Sequence, residues 1–390
     1  MYLVQEKARL DRHLRRVPRR IAVTGTRGKS GVTRLVAAGL RASGARVLAK
    51  TTGSKPVLIF PDGSEREIVR PGPASVREQV RLVALAASAG ADTLVAEMMS
   101  IGAEGLAVES GRILRPKILA VTNVRLDHLD VMGRDRPAIA RTLAAAFPPG
   151  AEVFVPAEEV DASFPAAAAR AGSRLRPVAG PGPGAEPAEA EGLPVGQFEP
   201  NRRLARAVLE ALGIDGPAIG RGFAAAVPDA GALRLWRGTF GDPPRPAVCV
   251  SLFAANEPES SAAALRQVLA AVPLGGRPLV ALLSLREDRG DRTLQWVRAA
   301  GEGFFRDFSA VWLVGPTAGA ALRKIRRCRE RTGPVFSMIE GRTGRSPEAV
   351  MARLVSVTAG EAVIVGLGNF VGAGEALVRL WAEKGTGHGG

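Results

Sequence analysis

The stretch VTGTRGKSGVTRLVAAGL, residues 23–40, places a glycine-rich turn between an apolar run and a helical pattern. The apolar run from Ile21 to Val23 is typical of a buried strand, and the residues after Ser30 repeat apolar side chains at helical spacing. A turn of this kind lets the backbone amides and the positive end of the helix dipole face a phosphate group. The sequence therefore predicts a phosphate-binding loop between the strand and the helix.

The residue types in this loop suit a nucleotide. Gly25 and Gly28 permit close approach of the backbone, Lys29 can meet the β and γ phosphates, and Ser30 can offer its hydroxyl to a bound Mg²⁺. The usual phosphate loop carries another glycine five residues before the Gly-Lys pair, where this chain has Val23. We predict that the loop binds ATP through Gly25, Thr26, Arg27, Gly28, Lys29 and Ser30.

Working outward from the loop, strand-like and helical segments alternate along the chain, which predicts an α/β fold with a mainly parallel sheet. A second series of the same kind starts near residue 246, and a Pro- and Gly-rich surface loop is predicted at 179–192. We expect a basic N-terminal arm at 1–20, a central P-loop ATP-binding domain at 21–235 and a C-terminal Rossmann-like domain at 236–390. The boundary is placed at RGTFGDPPRP, residues 237–246.

Polar residues follow two further predicted strands. Glu97 ends TLVAE, whereas Thr122 and Asn123 follow ILAV and are themselves followed by a segment containing His128. The carboxyl ends of parallel strands meet at one edge of a sheet. A buried carboxylate needs a partner such as a cation, and Mg²⁺ or Mn²⁺ accepts carboxylate, hydroxyl and occasionally imidazole ligands. We predict a metal site at Ser30, Glu97 and His128 and place Asn123 at the nucleotide, although a lone histidine can also be structural.

Composition limits the classes of partner. The 390 residues carry 53 Lys and Arg against 38 Asp and Glu, an excess of +15 that attracts polyanions, anionic membranes or acidic small molecules. An Arg- and Ala-rich composition bias is an alternative explanation of that excess. The aromatic content is 5% and no nucleic-acid-binding signature accompanies the basic residues, so we expect no nucleic acid partner.

The absence of targeting signals and the small number of cysteines indicate a cytoplasmic protein. The sequence has no apolar run of membrane-spanning length and no signal-peptide pattern. Its two cysteines, Cys249 and Cys328, lack metal-ligand spacing, and both are expected to be buried.

Several motifs together resemble the Mur ligase superfamily: TGTRGKS, the strand-end Glu97, TNVRLDHLD at 122–130 and the downstream Asn201. A narrower resemblance is to the ligase subunits of bacterial poly-γ-glutamate synthases. It rests on AKTTGS, TNVRLDHLDVMG, VPDAGALR, FAANEPES, REDRGDRT and GLGNFVGAGE, and the motifs extend from residue 24 to residue 375 in the order of that family.

This resemblance implies an ADP-forming amide ligase that uses ATP and Mg²⁺, with Mn²⁺ as an alternative metal. ATP would phosphorylate a terminal carboxylate of the acceptor, and the amine of an incoming glutamate would attack the acyl phosphate. The implied partners are glutamate, a poly-γ-glutamate acceptor and a membrane subunit of the synthase, and we expect a homo-oligomer. The basic arm would attach the protein peripherally to the inner face of the cell membrane.

The resemblance also assigns roles to individual residues. The implied catalytic residues are Lys29, Glu97, His128 and Arg234. Asn201 would face the adenine, and Asn256 in FAANEPES matches an asparagine on the nucleotide side. The glutamate carboxylates would be bound by Arg286, Arg289, Arg292 and Asn369. Their R-x-x-R-x-x-R spacing is also compatible with a solvated charged turn.

Departures from the family leave alternatives open. Val371 stands in GNFVG where relatives usually carry a histidine, which leaves open either the details of amine handling or the identity of the added amino acid. A folate or peptidoglycan acceptor, or a scaffold subunit with a decayed ATPase, are the alternative functions. Many Mur ligases use a carbamoylated lysine after the D-H-L-D segment, but no lysine occurs between Lys117 and Lys324. We therefore expect one Mg²⁺, or a second ion at His128 completed by Glu158 or Glu159.

Overall fold

The computed structural model describes residues 2–52, 56–70, 72, 74–180, 199–228, 233–253, 255, 257–271, 274–328, 333–339, 346–358 and 360–388. The chain divides into two compact units, one of Met1–Ala190 with Gln197–Asp229 and the other of Ala230–Gly390 with Glu191–Gly196. Each unit is built on its own mainly parallel sheet with helices. The predicted α/β class is confirmed, whereas most of the surface loop predicted at 179–192 lies outside the described residues.

The first unit contains eight strands and eight helices among its described residues. The strands are β1 (Arg19–Thr24), β2 (Val47–Lys50), β3 (Val57–Ile59), β4 (Glu65–Glu67), β5 (Thr93–Glu97), β6 (Ile118–Val121), β7 (Glu152–Pro156) and β8 (Arg174–Val178). The helices are α1 (Tyr2–Arg16), α2 (Lys29–Ala42), α3 (Arg77–Ser88), α4 (Ala103–Val108), α5 (Arg136–Ala144), α6 (Ser163–Ala171), α7 (Glu199–Ala211) and α8 (Gly216–Ala225). A π-helical segment, Glu109–Leu114, continues α4.

Alternation along β1 explains how this sheet is covered on both faces. Ile21 and Val23 belong to the apolar cluster formed with α2, α7 and α8, whereas Ala22 belongs to the cluster formed with α1, α3, α5 and α6. Successive strand side chains point to opposite faces, so both faces of a buried strand must be apolar. The sheet is therefore the middle layer of three.

The strand order β4-β3-β2-β5-β1-β6-β7-β8 places β1 between β5 and β6. All three strands run parallel, with Val23 paired to Glu97 and Thr24 paired to Val121. The chain leaves β1 toward β2 on one side, while β6, β7 and β8 lie on the other. The carboxyl end of β1 is thus a topological switch point, where α/β proteins bind ligands.

The second unit is ordered β13-β12-β11-β14-β10-β9-β15, with the first five strands parallel. Its strands are β9 (Arg234–Phe240), β10 (Arg245–Ser251), β11 (Leu279–Ser284), β12 (Ala310–Val314), β13 (Val335–Met338), β14 (Ala362–Gly368) and β15 (Gly385–His388). Its helices are α9 (Pro258–Ala271), α10 (Gly290–Gly301), α11 (Ala318–Cys328), α12 (Pro347–Ser356) and α13 (Glu375–Lys384).

The division between the units differs from the boundary expected at residues 235 and 236. The stretch 237–246 lies within a hairpin whose turn is formed by residues 241–244, because β9 pairs antiparallel with β10 from Arg234 opposite Ser251 to Phe240 opposite Arg245. The Gly and Pro residues between the two strands serve this hairpin turn. Both strands therefore belong to the sheet of the second unit, and the units separate after Asp229.

The predicted basic arm is a helix that packs on the first unit. Leu14 and the following Val17 are buried in the cluster that contains the side chains of α3. The first strand also begins earlier than expected, at Arg19. The expectation for the cysteines holds for Cys249, which is buried, and is wrong for Cys328, which is exposed at the end of α11.

Candidate functional site

Two glycines give the loop after β1 its shape. Gly25 has a φ of 121° and Gly28 a φ of 76°, backbone conformations that side chains disfavour. A Cβ atom at Gly25 would lie 2.2 Å from Thr122 Oγ1, and one at Gly28 would lie 2.6 Å from Asn201 Oδ1. Larger residues would therefore both strain the loop and displace its neighbours.

Residues at the end of β6 hold this loop from one side. The Thr26 hydroxyl donates to Asn123 Oδ1 at 2.7 Å, and the Arg27 amide donates to the same oxygen at 3.0 Å. Asn123 Nδ2 and the Thr122 hydroxyl in turn donate to the Arg27 carbonyl. The side chain of Asn123, predicted to bind the nucleotide, is thus engaged in shaping the loop.

Helix α2 begins directly at the loop and carries no side-chain cap. Its N-cap residue is Gly28, which has no side chain to accept a hydrogen bond from the first amides of the helix. Those amides and the helix dipole favour an anion at this end. The half-buried Lys29 Nζ donates to the carbonyls of Gly25, at 2.8 Å, and Thr26, at 3.3 Å. Burial lowers the pKa of Lys29, although the nearby Glu97 and Asp127 oppose that shift.

The carboxylate of Glu97 meets the first turn of α2. Ser30 Oγ donates to Glu97 Oε2 at 2.7 Å, and the Thr52 amide donates to the same oxygen at 2.7 Å. Glu97 is 2% exposed and Ser30 8% exposed, so this pair is screened from bulk water. The structure thus brings together the two oxygen ligands predicted for a metal.

A buried polar network lies directly behind Glu97. Gln79 Nε2 donates to the Glu97 backbone carbonyl at 3.0 Å and to Glu109 Oε1 at 2.6 Å. Glu109 also accepts the amides of Met99 and Ser100, both at 2.9 Å. Gln79 and Glu109 are each 0% exposed. This network fixes the chain that leaves β5 immediately after the metal-ligand candidate.

Lys50 completes the network from the end of β2. Its Nζ donates to Gln79 Oε1 at 3.4 Å and lies 3.2 Å from Glu78 Oε2. Arg70 binds the same carboxylate through two hydrogen bonds of 2.7 and 3.0 Å. Burial raises the pKa of Glu78, but the hydrogen bonds and charges of Arg70 and Lys50 prevail and lower it to about 2. Burial lowers the pKa of Lys50, and Glu78 opposes that change.

His128 is connected to the loop through Asp127. Asp127 Oδ1 lies 3.4 Å from Arg27 Nη2, and Asp127 Oδ2 lies 3.8 Å from His128 Nε2. His128 has a φ of 46°, which places its backbone in the left-handed region. Asp127 thus couples a loop arginine to the histidine predicted to bind a metal.

The donor set at Ser30 and Glu97 fits a divalent cation held jointly with a ligand. Among the described residues, no group of three or more His, Cys, Asp and Glu side chains is arranged to bind a metal by itself. One hydroxyl and one carboxylate beside an uncapped helix start are oxygen donors of the kind that Mg²⁺ and Mn²⁺ accept. Mg²⁺ commonly completes its coordination with phosphate oxygens and water. The residues present therefore fit Mg²⁺ together with a phosphate-bearing ligand.

The two glutamates considered for a second metal ion have arginine partners instead. Glu159, 4% exposed, lies 2.9 Å from Arg125 and 2.7 Å from Arg136, and it accepts the Val124 amide. Glu158 pairs with Arg203. Since arginines already balance both carboxylates, a second ion at His128 would need other donors.

The other residues predicted to contact the nucleotide lie in different parts of the chain. The Asn201 side chain lies against Gly28 at the start of α2, within reach of the loop. Arg234 begins β9 in the second unit, opposite Ser251. Asn256 lies outside the described residues.

The predicted carboxylate-binding arginines do not share one environment. Arg286 binds Asp288 through two hydrogen bonds of 2.8 and 2.7 Å, and Arg292 is 6% exposed within α10. Arg289 is half-buried at the start of that helix. Asn369 is buried, and its Nδ2 donates to the Ser284 carbonyl at 3.2 Å, which ties the ends of β14 and β11 together. In this arrangement Arg286 and Asn369 stabilise local structure, so their proposed substrate roles require these contacts to change.

Sequence reasoning missed the network of Lys50, Gln79 and Glu109. Lys50 had a detectable signal, because a lysine that ends an apolar strand needs a buried partner. Gln79 and Glu109 had no such signal, since each lies in a segment that resembles an ordinary amphipathic helix. Only the packing of α3 and the π-helical segment against β5 brings them to Glu97.

Comparison with protein families gives two matches along the chain. Residues 23–147 match the Mur ligase middle domain, and residues 239–384 match the C-terminal domain of poly-gamma-glutamate synthase CapB. The first match contains the loop after β1, Glu97 and His128. The second covers most of the second unit.

Individual proteins show the same relationship. The chain is 28% identical over 388 residues to the capsule biosynthesis protein CapB of Bacillus anthracis, covering 98% of this chain and 81% of that one. It is 26% identical over 378 residues to the PGA synthase CapB of Bacillus subtilis (strain 168), covering 96% and 93%. A bifunctional folylpolyglutamate synthase/dihydrofolate synthase from Yersinia pestis, solved with AMPPNP and a Mn ion, has a similar fold, with a TM-score of 0.66, 18% identity and coverage of 97% and 92%.

Proposed function

Because this chain is a member of the Mur ligase superfamily that carries a CapB-type C-terminal domain, and is thus an ATP-dependent amide ligase, we propose that it extends poly-γ-glutamate. The observation that carries this proposal is the joint arrangement of Ser30, Glu97 and Lys29 around the uncapped start of α2. That arrangement suits ATP with Mg²⁺. The CapB matches over nearly the whole chain favour a glutamate polymer as the acceptor.

The proposed reaction has two steps. A terminal carboxylate oxygen of the acceptor bonds to the γ-phosphorus of ATP, and the bond from that phosphorus to the β–γ bridging oxygen breaks, which releases ADP. The amine nitrogen of the incoming glutamate then bonds to the acyl carbon, phosphate leaves and the nitrogen loses a proton. A bound Mg²⁺ supplies positive charge that offsets the charge on the phosphate oxygens.

The residues of this chain bind and orient rather than form covalent bonds. The amides at the start of α2 and Lys29 Nζ would receive the phosphates, and Ser30 and Glu97 would hold the cation. Arg27, kept in place by Asp127, adds positive charge at the same loop. Preorganised groups of this kind supply much of the rate enhancement of phosphoryl transfer.

We further propose that the chain uses glutamate as a substrate, works with a membrane subunit of the synthase and attaches to the membrane. The relatives that support it include a capsule biosynthesis protein and a PGA synthase. In the part of the chain that the structure describes, none of the helices combines the length and apolar character needed to cross a membrane. We propose peripheral attachment through exposed basic residues of α1, namely Lys7, Arg9, Arg12, Arg15 and Arg16.

A ligation assay tests the function directly. The purified protein would be incubated with ATP, Mg²⁺, glutamate and one acceptor at a time, and products would be read by mass spectrometry alongside ADP release. A ladder of glutamate additions on a γ-glutamyl oligomer is the expected result. A single addition to a folate or to a muropeptide would reassign the acceptor, and the absence of ADP release with every acceptor would reject the ligase proposal.

A further inference from the structure

Helix α11 presents an exposed face made of basic side chains. Within Ala318–Cys328, Arg323, Lys324, Arg326 and Arg327 are all exposed, and the helix contains no acidic residue. The opposite face is apolar and buried through Ala318, Ala321, Leu322 and Ile325. We call the four exposed basic residues the α11 basic surface. The apolar face anchors the helix in the second unit, so the four charges project from a fixed support.

Helices α7 and α13 carry acidic partners for some of their basic residues. On α7, Arg203 pairs with Glu158 and Glu199, and Arg206 pairs with Glu210. On α13, Arg379 pairs with Glu375. Among the described residues, the α11 basic surface has no ion pair with an acidic side chain. Within the part of the chain that the structure describes, α11 therefore carries four exposed, unpaired positive charges within the five positions 323–327.

This concentration opposes helix stability. Arg323 and Arg327 are four positions apart, and Arg323 and Arg326 are three apart, so their charges are neighbours on the helix surface. Like charges at these spacings destabilise a helix. A polyanion bound across them would turn this repulsion into attraction, and arginine can bind each carboxylate through two parallel hydrogen bonds.

The exposed residues of α11 favour a dissolved polymer over a lipid surface. Membrane-binding helices insert bulky apolar side chains below the headgroups and place basic residues beside them. On α11 the bulky apolar residues Leu322 and Ile325 are buried in the protein, and the exposed positions carry the basic residues, Ala320 and Cys328. The surface therefore offers charge and hydrogen-bond donors without an inserting face.

We propose that the α11 basic surface binds the growing polycarboxylate chain at a second site, distinct from the loop that binds ATP. This inference rests on the proposed function, since it takes the product to be a polymer with one carboxylate per residue. Holding the polymer on the enzyme raises its effective concentration for the next addition. The surface would thereby favour repeated extension of one chain over release and rebinding.

The test measures binding of end-labelled poly-γ-glutamate of about 50 residues by fluorescence anisotropy at several salt concentrations. Binding of a polyanion releases counterions, so its affinity falls as the salt concentration rises. The test variant replaces all four residues of the surface, R323Q/K324Q/R326Q/R327Q. The matched control makes the same change in charge at four scattered exposed arginines of the first unit, R81Q/R112Q/R170Q/R221Q. We expect the dissociation constant to rise about tenfold or more in the test variant, with a shallower dependence on salt, and to change less than about twofold in the control.

Further measurements make the outcome decisive. Thermal unfolding verifies that both variants fold. The double variant K324Q/R327Q should lose an intermediate amount of affinity for the polymer. ADP release with a single γ-glutamyl dipeptide should be unchanged in the test variant, whereas long products should become shorter. Equal losses in test and control variants would show attraction by net charge alone and would overturn the proposal. A larger loss of binding to phosphatidylserine vesicles than to the polymer in the test variant would assign the surface to a membrane and would also overturn the proposal. Absence of ligation in the wild-type protein would instead reject the proposed function, because polymer binding is measured without ATP.

Discussion

The side-chain amide of Gln79 donates a 2.6 Å hydrogen bond to the buried carboxylate of Glu109. Through its second N–H, the same amide holds the backbone carbonyl of Glu97, while Glu109 holds the two amides that follow at Met99 and Ser100. The position of the Glu97 carboxylate beside Ser30 therefore depends on residues that do not reach the ligand. Gln79 and Glu109 are positioning residues for the candidate metal ligand.

We predict that Glu109→Gln weakens metal binding in addition to lowering the stability of the fold. Its new NH₂ group would face amide donors, which costs about 1–3 kcal/mol of stability and loosens residues 97–100. The half-saturating concentration of Mn²⁺ for the protein with ADP, followed by electron paramagnetic resonance, should rise about tenfold. Glu104→Gln, at an exposed site in the same segment, is the control. A lower unfolding temperature with unchanged Mn²⁺ binding would assign Glu109 a purely structural role.

Substitutions in the first turn of α2 and at the end of β5 test the site itself. Lys29→Ala removes a charge placed to meet phosphates, and Glu97→Gln removes the carboxylate that accepts Ser30. Each should lower ATP-dependent ligation by about 10² or more while the circular dichroism spectrum stays that of the wild type. Nucleotide affinity should fall in Lys29→Ala and metal affinity in Glu97→Gln. Ligation near the wild-type rate in either variant would remove that residue from the site.

The sequence predicted the part of the site that depends on local order. The loop, its helix and the ends of β5 and β6 could be placed because glycine spacing and apolar periodicity identify a strand, a turn and a helix. Parallel strands then bring Glu97 and Asn123 to opposite sides of β1, as their pairing shows. The contact between Ser30 and Glu97 follows from these facts.

The contacts that could not be predicted depend on which side chains pair with each other in the folded protein. The sequence allows Glu159 as a metal donor, because its arginine partners, Arg125 and Arg136, are distant in the sequence. Arg286 was matched to a substrate carboxylate, but Asp288 two residues later already binds it. The sequence places the domain boundary inside the hairpin of β9 and β10, because the antiparallel pairing of these strands is not visible in the local sequence.

The charge cluster around Glu78 predicts a specific loss of stability in acid. The folded pKa of Glu78 is about 2, compared with an ordinary value of 4.5. Its stabilising effect is therefore complete above the ordinary value and is lost as the pH falls from there toward the folded value, since the unfolded chain takes up the proton first. Glu78→Gln should lower the unfolding temperature at neutral pH, and the gap to wild type should narrow as the pH falls through this range. A constant gap in unfolding experiments across these pH values would contradict the ion pairs with Lys50 and Arg70.

The exposed charges of α1 should determine attachment to an anionic membrane. Removing residues 1–18 is an unsuitable test, because Leu14 and Val17 are buried and their loss would damage the core. We predict instead that R9Q/R12Q/R16Q weakens binding to phosphatidylserine vesicles about 10²-fold, since each basic residue near such a surface contributes about 1 kcal/mol. Vesicle co-sedimentation at two salt concentrations would measure this, with R81Q/R112Q/R170Q as control. Equal, salt-insensitive binding by both variants would exclude α1 as the attachment site.

The lysine content predicts that ligation proceeds without bicarbonate. A carbamate forms on a neutral primary amine, and the chain has no lysine between Lys117 and Lys324, while arginine stays charged. Lys50, although buried near Glu97, is paired with Glu78, and a carbamate there would add a negative charge beside that carboxylate. Ligation rates should therefore be the same in buffers stripped of CO₂ and in buffers supplemented with bicarbonate. A rate that recovers only on adding bicarbonate, or a carboxylated lysine found in the site of a crystal structure with ADP and Mg²⁺, would show that a lysine of this chain does supply a metal ligand.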